Sequence, residues 1–139
     1  MPRYAAERTL LAPIEDVWSF VAEPYNLPDW WPGVSGVEPD RRGLAPAARW
    51  RILGPDAPTL FRKPDASGTL IVLDVVPMRR IAFQLVSQRV DAVLELEPAG
   101  EGRTKATLEV DGPFLAFRRS FPYTTLGRLY DLVQTGAEI

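Results

Sequence analysis

Few residues of this chain have side chains suited to acid–base or nucleophilic chemistry. The sequence contains no histidine and no cysteine, which removes the usual general base near neutral pH, the commonest metal ligand and every thiolate nucleophile. The remaining polar candidates near predicted apolar faces are Asp74, Gln84, Asp91 and Tyr123. The Tyr123 phenol could donate a hydrogen bond to a carbonyl, although a tyrosine at a helix start more commonly packs by its ring. The catalytic residues are therefore unknown, and we expect no cofactor and no metal site.

The strand pattern places most of the other polar candidates on the surface. Gln84 and Asp91 fall on the outward phase of the alternation in their strands, so surface placement is the favoured interpretation. Glu95 and Glu97 share one strand face that also points outward, and we expect both to be solvated. The sequence has no glycine-rich phosphate loop, and the segment Gly100 to Gly102 is predicted to be a hairpin turn.

The overall composition is that of an ordinary globular protein. At 139 residues, with 46% hydrophobic and 24% charged residues, the chain is predicted to form a single domain over residues 1–139. The net charge of −2 gives no electrostatic footprint for nucleic acid. No apolar run approaches the roughly 20 residues of a transmembrane helix, and the N-terminus lacks the apolar core of a signal peptide. A cytoplasmic location is therefore the default expectation.

The N-terminal third is predicted to contain one strand and two short helical segments. Tyr4 to Leu11 is a candidate strand, and a helix then opens at Ala12-Pro13, where proline is tolerated in the first turn. Pro24 is expected to end this helix. The i, i+3, i+4, i+7 spacing defines one apolar face, made by Ile14, Val17, Trp18 and Val21.

Aromatic residues are concentrated in the segment that follows this first helix. Tyr25 to Trp31 is predicted to be a second short helix or turn, closed by Pro32-Gly33. With Trp18, it holds three of the four tryptophans of the chain. We expect Trp31 to point away from Trp30 and, if exposed, to be a candidate lid or partner contact, since exposed aromatic patches often mark interaction sites.

The middle of the chain predicts an antiparallel sheet, and its end predicts a helix. Short turn-like links between alternating strands indicate antiparallel neighbours with one solvated face. Phe114 to Ala137 has helical character, with Pro122 interrupting or starting the helix. Thr59 to Lys63 is a short strand or a loop. The remaining predicted strands are Val34–Asp40, Ala47–Leu53, Thr69–Val76, Arg80–Ser87, Val90–Glu97 and Arg103–Asp111. This order gives an α+β layout, in which one sheet buries its apolar face against one long helix.

The layout and two N-terminal motifs resemble a known superfamily. The motifs are Ala12-Pro13-Ile14-Glu15-Asp16-Val17-Trp18 and Asn26-Leu27-Pro28-Asp29-Trp30. They are similar to those of the START-like superfamily, often called SRPBCC, which includes polyketide cyclases/dehydrases and lipid-transfer domains. The resemblance implies a helix-grip fold over the whole chain: a curved antiparallel sheet of six to seven strands around a long C-terminal helix, with two short helices after the first strand. Between sheet and helix it implies a deep cavity for a hydrophobic ligand.

In such a fold the inner strand faces and the aromatic cluster near the long helix would line the cavity. The alternative for each of these residues is ordinary core packing, and it is the favoured one for Trp18. The predicted ligand-binding residues are Trp18, Trp30, Trp50, Phe83, Leu85, Leu94, Phe114, Phe117, Phe121 and Tyr123.

Three functional hypotheses remain open on the sequence. The first is a carrier or sensor that binds a small hydrophobic molecule such as a lipid, a sterol or a polyketide-like compound. The second is a polyketide cyclase or dehydratase that acts mainly by orienting its substrate, with Tyr123 or an aspartate assisting proton transfer. The third is a protein-interaction module, for example a homodimer, that uses Trp31 and the aromatic cluster. The absence of histidine and the apolar inner strand positions favour the first hypothesis over the second.

Overall fold

The computed structural model describes residues 3–54, 67–86, 88–113 and 118–137. Within them, seven strands form one sheet in the order β1-β7-β6-β5-β4-β3-β2, and every neighbouring pair is antiparallel. The strands are β1 (Arg3–Leu10), β2 (Gly36–Glu38), β3 (Arg49–Leu53), β4 (Ser67–Val76), β5 (Arg80–Leu85), β6 (Val90–Pro98) and β7 (Thr104–Asp111). The predicted α+β architecture is confirmed. The candidate strand Val34–Asp40 shortens to three residues, and the predicted strand or loop Thr59 to Lys63 lies outside the described residues.

The helical segments also follow the predicted order. They are α1 (Ile14–Val21), a single 3₁₀ turn (Pro24–Asn26), α2 (Leu27–Trp30) and the 17-residue α3 (Phe121–Ala137). Pro122 occupies the first turn of α3, where its missing N–H has no intrahelical partner to lose, and it therefore starts the helix without interrupting it. Residues 118–120 precede α3 without being helical, so this helix is shorter than the predicted Phe114 to Ala137.

One face of the sheet carries the core. Alternate residues of β3, β6 and β7, and most residues of β5, are buried on this face. In β4 the register shifts between Val72 and Asp74. This bulge leaves Leu73 half exposed, while Val75 packs against the core. The inner face is therefore continuous from β1 to β3, apart from this one break in the alternation.

Helix α3 covers one end of the inner face, over β1 and β7. The apolar stripe of α3 faces the sheet, with Leu126, Leu129 and Val133 buried. Tyr130 is half-buried, and the Arg8 guanidinium lies 4.1 Å from the centroid of its ring, a cation–π arrangement. At the start of β7 the buried Thr104 hydroxyl donates to the carbonyl of Ala12 over 2.8 Å. The α3 end of the sheet is thus a packed core whose buried hydroxyl has a partner.

The opposite face of the sheet is charged. Arg80 pairs with Asp74 (3.2 Å) and Glu95 (2.8 Å). Lys105 lies between Glu7 (3.6 Å) and Glu97 (3.4 Å), and the charge of Glu7, followed by that of Glu97, raises the pKa of the lysine. These ion pairs are exposed, so each contributes little to stability. They identify this face as the outer surface of the sheet.

Candidate functional site

A small apolar cavity lies at the end of the inner face away from the body of α3. It is bordered by residues of α1, α2 and the segment between them on one side, and by β3, β4, β5 and the β2–β3 loop on the other. Its volume is ≈ 10 Å³, about the space that one water molecule requires. The described residues that line it are Val21, Glu23, Leu27, Leu44, Leu70, Val72, Ile81, Phe83, Trp30 and Trp50. Nine of these ten side chains are apolar or aromatic, as is typical of sites for hydrophobic ligands.

The position of this cavity differs from the expected one. The resemblance placed it between the sheet and the C-terminal helix, but none of its described lining residues belongs to α3. The space between the sheet and the start of α3 is occupied by the Trp31 indole. Its ring centroid lies 5.0 Å from that of Phe83 on the sheet and 5.0 Å from that of Phe121 on α3. Aromatic side chains thus close the space beneath the start of α3, and the cavity lies beside them.

The motif Asn26-Leu27-Pro28-Asp29-Trp30 positions one wall of the cavity. The Asn26 side-chain amide donates to the Phe20 carbonyl in the last turn of α1 over 3.0 Å, which satisfies a helix-end acceptor. Pro28 in the first turn of α2 needs no N–H partner. Leu27 and Trp30, three residues apart on one helical turn, then both face the interior and are buried. The motif therefore joins α1 to α2 and places two side chains in the cavity wall.

Trp31 does not behave as expected. We expected it to point away from Trp30 and to be a candidate lid or partner contact if exposed, but its exposed fraction is 2%. The helix ends at Trp30, and Trp31 has extended dihedral angles (φ −101°, ψ 110°), so the 100° rotation between helical neighbours does not apply. The two indoles meet edge to face at 5.8 Å between centroids, with an interplanar angle of 88°. Trp31 is a core residue that supports Trp30.

The opposite wall is fixed by the loop between β2 and β3. Asp40 holds this loop: its carboxylate accepts from the backbone N–H groups of Arg42 and Arg49, both over 2.9 Å. The hydrogen bond from Arg49 is the largest cause of the lowered pKa of Asp40; desolvation opposes it, and the hydrogen bond from Arg42 lowers the pKa further. Within the loop the Gly43 carbonyl accepts from the Trp50 indole N–H over 2.7 Å. The loop thereby fixes Trp50 and brings Leu44 to the cavity.

Trp30 differs from Trp50 in the hydrogen bonding of its indole N–H. Trp30 is also buried, with 2% of its surface exposed. Its Nε1 is the one side-chain nitrogen or oxygen that is buried without a hydrogen-bond partner in the part of the chain that the structure describes. Buried donors are almost always paired in native proteins, and an unpaired one requires a specific explanation. Here the unpaired donor belongs to a residue of the cavity wall.

Three of the predicted ligand-binding residues come together in the cavity wall: Trp30, Trp50 and Phe83. The other predicted residues lie elsewhere. Leu85 and Leu94 are buried in the core, Trp18 and Phe121 are half-buried against it, and Tyr123 is 63% exposed. None of these five is a lining residue. Phe114 and Phe117 lie outside the described residues.

The sequence interpretation missed most of the aliphatic wall. Leu70 and Val72 lie on the inward phase of β4 beside Phe83 and Leu85 of β5, so the alternation of that strand could have indicated them. Leu27 stands in the Asn26-to-Trp30 motif three residues before Trp30, a spacing that places both on one helical face. Leu44 lies in a loop, and no periodic signal in the sequence marks it.

The polar candidates lie away from the cavity. Asp91 is exposed, and Gln84, its partner across the β5–β6 ladder, is only partly buried. Asp74 pairs with Arg80 on the outer face. Glu23 is the one ionisable side chain among the described lining residues; it is exposed, and its carboxylate accepts from the backbone N–H of Tyr25 over 3.3 Å.

No helix among residues 3–54, 67–86, 88–113 and 118–137 has the length and hydropathy to cross a membrane.

An antiparallel sheet folded against a C-terminal helix, with an apolar cavity beside two short N-terminal helical segments, defines a helix-grip domain. The chain belongs to the polyketide cyclase / dehydrase and lipid transport family, whose model matches residues 1–132. No curated protein sequence matches the chain.

Solved structures share the fold at low sequence identity. A protein from Nitrosomonas europaea is 20% identical, with a TM-score of 0.70 over 99% of this chain and 97% of its own. XoxI from Bacillus cereus is 10% identical, with a TM-score of 0.71 over 99% of both chains. A point mutant of norcoclaurine synthase from Thalictrum, solved with a transition-state analogue, is 14% identical, with a TM-score of 0.65 over 98% of this chain and 96% of its own. At these identities the likeness shows the fold alone.

Proposed function

We propose that this protein binds a small hydrophobic ligand, such as a lipid, a sterol or a polyketide-like molecule, as a carrier or sensor. The observation that carries the proposal is the apolar cavity bordered by Trp30, Trp50 and Phe83 in a member of this family. Burial of apolar ligand surface there would supply the driving force for binding. The family description includes both lipid transport and cyclase or dehydrase activity, so it is compatible with binding alone.

Binding requires the cavity to widen. A volume of ≈ 10 Å³ accommodates no ligand of more than a few atoms, so the walls must separate when a ligand enters. Leu44 is the lining side chain that can move aside most easily, because it lies in a loop and is only half-buried. Displacing it exposes less of the core than moving a strand residue would. The occupied state is therefore a minor conformation of the free protein that the ligand stabilises.

The cyclase alternative has less support from the side chains. Tyr123 is exposed, Asp91 is exposed on β6, and the one ionisable lining side chain, Glu23, lies at the surface. A general acid or base must come within hydrogen-bond reach of the reacting atom. Among the described residues, only Glu23 meets that requirement for a molecule held in the cavity.

Two measurements test the proposal. Mass spectrometry of gently purified protein should reveal a copurified apolar molecule. A tryptophan-fluorescence titration with lipids, sterols and polyketides should then show saturable quenching for at least one compound, because two of the four tryptophans line the cavity. The absence of both a copurified molecule and saturable quenching across this panel would overturn the proposal.

A matched pair of variants locates the binding site. Leu44→Phe adds bulk at the cavity, whereas Ile14→Phe adds similar bulk at another half-buried position that packs against the core but does not line the cavity. Leu44→Phe should weaken binding at least about tenfold, an effect of about 1.4 kcal/mol, while Ile14→Phe leaves the affinity unchanged. Equal effects of the two substitutions would place the ligand elsewhere.

A further inference from the structure

The indole N–H of Trp30 is a hydrogen-bond donor without a described acceptor. It is buried, and no described residue accepts from it. The desolvation of such a group disfavours the folded state unless a partner compensates it. Trp30 also forms part of the cavity wall, so a ligand that widens the cavity would bring its own atoms close to this residue.

The second tryptophan of the cavity shows that the unpaired donor is specific to one wall. The Trp50 indole N–H is paired with the Gly43 carbonyl at 2.7 Å. Both indoles are buried and border the same space, yet only that of Trp50 has a protein acceptor. A ligand in the cavity would therefore lie beside one tryptophan whose N–H is already paired, Trp50, and one whose N–H is unpaired, Trp30.

The charges of the wall restrict the acceptor further. Among the described lining residues there is no lysine or arginine, and the one charged group is the acidic Glu23. A carboxylate or phosphate in this space would be desolvated without a counter-ion, which is strongly unfavourable, and Glu23 would repel it. A neutral oxygen, in contrast, satisfies the donor without introducing a charge.

We propose that the ligand is a neutral carbonyl compound, a ketone or an ester, whose oxygen accepts a hydrogen bond from Trp30 Nε1 while its apolar body packs against Leu70, Val72 and Phe83. This inference rests on the proposed function and deepens it, since it names the chemical class of the ligand and the residue that recognises it. Fatty acids and other anions are excluded from the site, and plain hydrocarbons bind less tightly.

Three probes of similar size separate these classes: acetophenone, ethylbenzene and benzoate. Their dissociation constants can be measured by following the tryptophan indole N–H signals of ¹⁵N-labelled protein in a two-dimensional NMR titration. Acetophenone should bind about fivefold to tenfold more tightly than ethylbenzene, the ratio expected for one neutral hydrogen bond. Benzoate should bind most weakly. The Trp30 indole proton should move downfield with acetophenone and not with ethylbenzene.

A pair of tryptophan variants tests the assigned donor. Trp30→Phe keeps an aromatic ring but removes the N–H, and the preference for acetophenone over ethylbenzene should fall to about one. Trp18→Phe makes the same change at a half-buried tryptophan outside the cavity and should keep the preference. If Trp30→Phe does not fold, the direction of the Trp30 indole shift in the wild-type protein decides the question.

The outcomes separate this inference from the proposed function. Equal binding of acetophenone and ethylbenzene, tighter binding of benzoate, or a preference that survives in Trp30→Phe would overturn the carbonyl assignment and leave hydrophobic binding standing. If none of the three probes binds, and the lipid, sterol and polyketide panel also fails, both proposals are overturned. An unchanged Trp30 signal with acetophenone, while other indole signals shift, would also overturn the assignment.

Discussion

The two ends of the inner sheet face have the same sequence pattern and different packing. At the α3 end, Ala106, Leu108 and Val110 of β7 have no exposed surface, and the buried hydroxyl of Thr104 has a partner. At the cavity end, the inward residues of β4 and β5 are also buried, but a space of ≈ 10 Å³ lies between them and the residues of α1 and α2. A buried indole N–H there has no described partner.

The difference comes from the elements that cover each end. Helix α3 has 17 residues and lays a continuous apolar stripe over β1 and β7. The cavity end is covered by the four-residue α2, a single 3₁₀ turn and a loop, which supply isolated side chains and no continuous surface. A long helix can fill the groove of a curved sheet, whereas short segments leave gaps. We therefore expect stability to depend mainly on the α3 end and the proposed ligand to bind at the cavity end.

Truncation of one leucine at each end should give the largest contrast. Leu108→Ala removes a fully buried side chain from the packed end and should lower the free energy of unfolding by about 3–5 kcal/mol. Leu70→Ala makes the same truncation in the cavity wall, where the side chain already lacks some neighbours, and should cost about 2–3 kcal/mol. Urea unfolding of both variants measures the difference. Equal costs would mean that both ends are packed alike.

Adding one methyl group, instead of removing atoms, should again cost more stability at the α3 end than at the cavity end. Val110→Ile introduces volume where no space is available and should destabilise the protein by about 1–3 kcal/mol. Val72→Ile adds the same methyl beside the cavity and should change stability by less than about 1 kcal/mol, while it weakens binding of ethylbenzene. Thermal unfolding and NMR titration provide the two readouts. A larger destabilisation by Val72→Ile would contradict the presence of space there.

Removing the indole N–H should reduce the stability of the protein by different amounts at the two cavity tryptophans. Trp50→Phe breaks the bond to the Gly43 carbonyl and should cost about 1 kcal/mol more than Trp30→Phe, which has no described hydrogen bond to lose. Because both substitutions remove the same atoms, comparison of their urea midpoints cancels most of the packing loss. If Trp30→Phe proved the more costly variant, its N–H would have an acceptor in the free protein.

Lowering the pH should destabilise the loop at the cavity end, because the Asp40 carboxylate that holds this loop becomes protonated. The backbone N–H of Arg49 and then that of Arg42 lower the pKa of this carboxyl, so its stabilising contribution is present above the ordinary aspartate pKa of about 4 and is lost as the pH falls through the lower folded value. Asp40→Asn should reduce the loss of melting temperature between pH 5 and pH 2.5. Asp91→Asn, which removes the same charge from an exposed position on β6, is the control. Identical profiles for the two variants would contradict this assignment.

The sequence predicted the framework better than the site. The alternation of β5, β6 and β7 and the stripe of α3 are repeated patterns, so the inward residues and the sheet could be derived from them. The resemblance supplied the helix-grip connectivity. Trp30, Trp50 and Phe83 were predicted as ligand contacts, and the structure places all three in the cavity wall.

The rest of the site depends on single, non-periodic features. Trp31 is buried because the chain leaves the helix at that residue, which neither periodicity nor composition shows. Leu44 reaches the cavity from a loop held by Asp40, an interaction between the loop and β3 that no sequence pattern indicates. The unpaired state of the Trp30 N–H depends on the positions of all surrounding acceptors, so it is visible only in three dimensions.

Methyl NMR of the protein titrated with acetophenone tests the division between the two ends most directly. We predict shifts at the Leu27, Leu70, Val72 and Ile81 methyl groups of the cavity end, together with the Trp30 indole proton. The Leu108, Val110, Leu126 and Leu129 methyl groups beneath α3 should not respond. Shifts confined to the methyl groups beneath α3 would contradict the account, because the ligand would then occupy the end that we assign to structural packing.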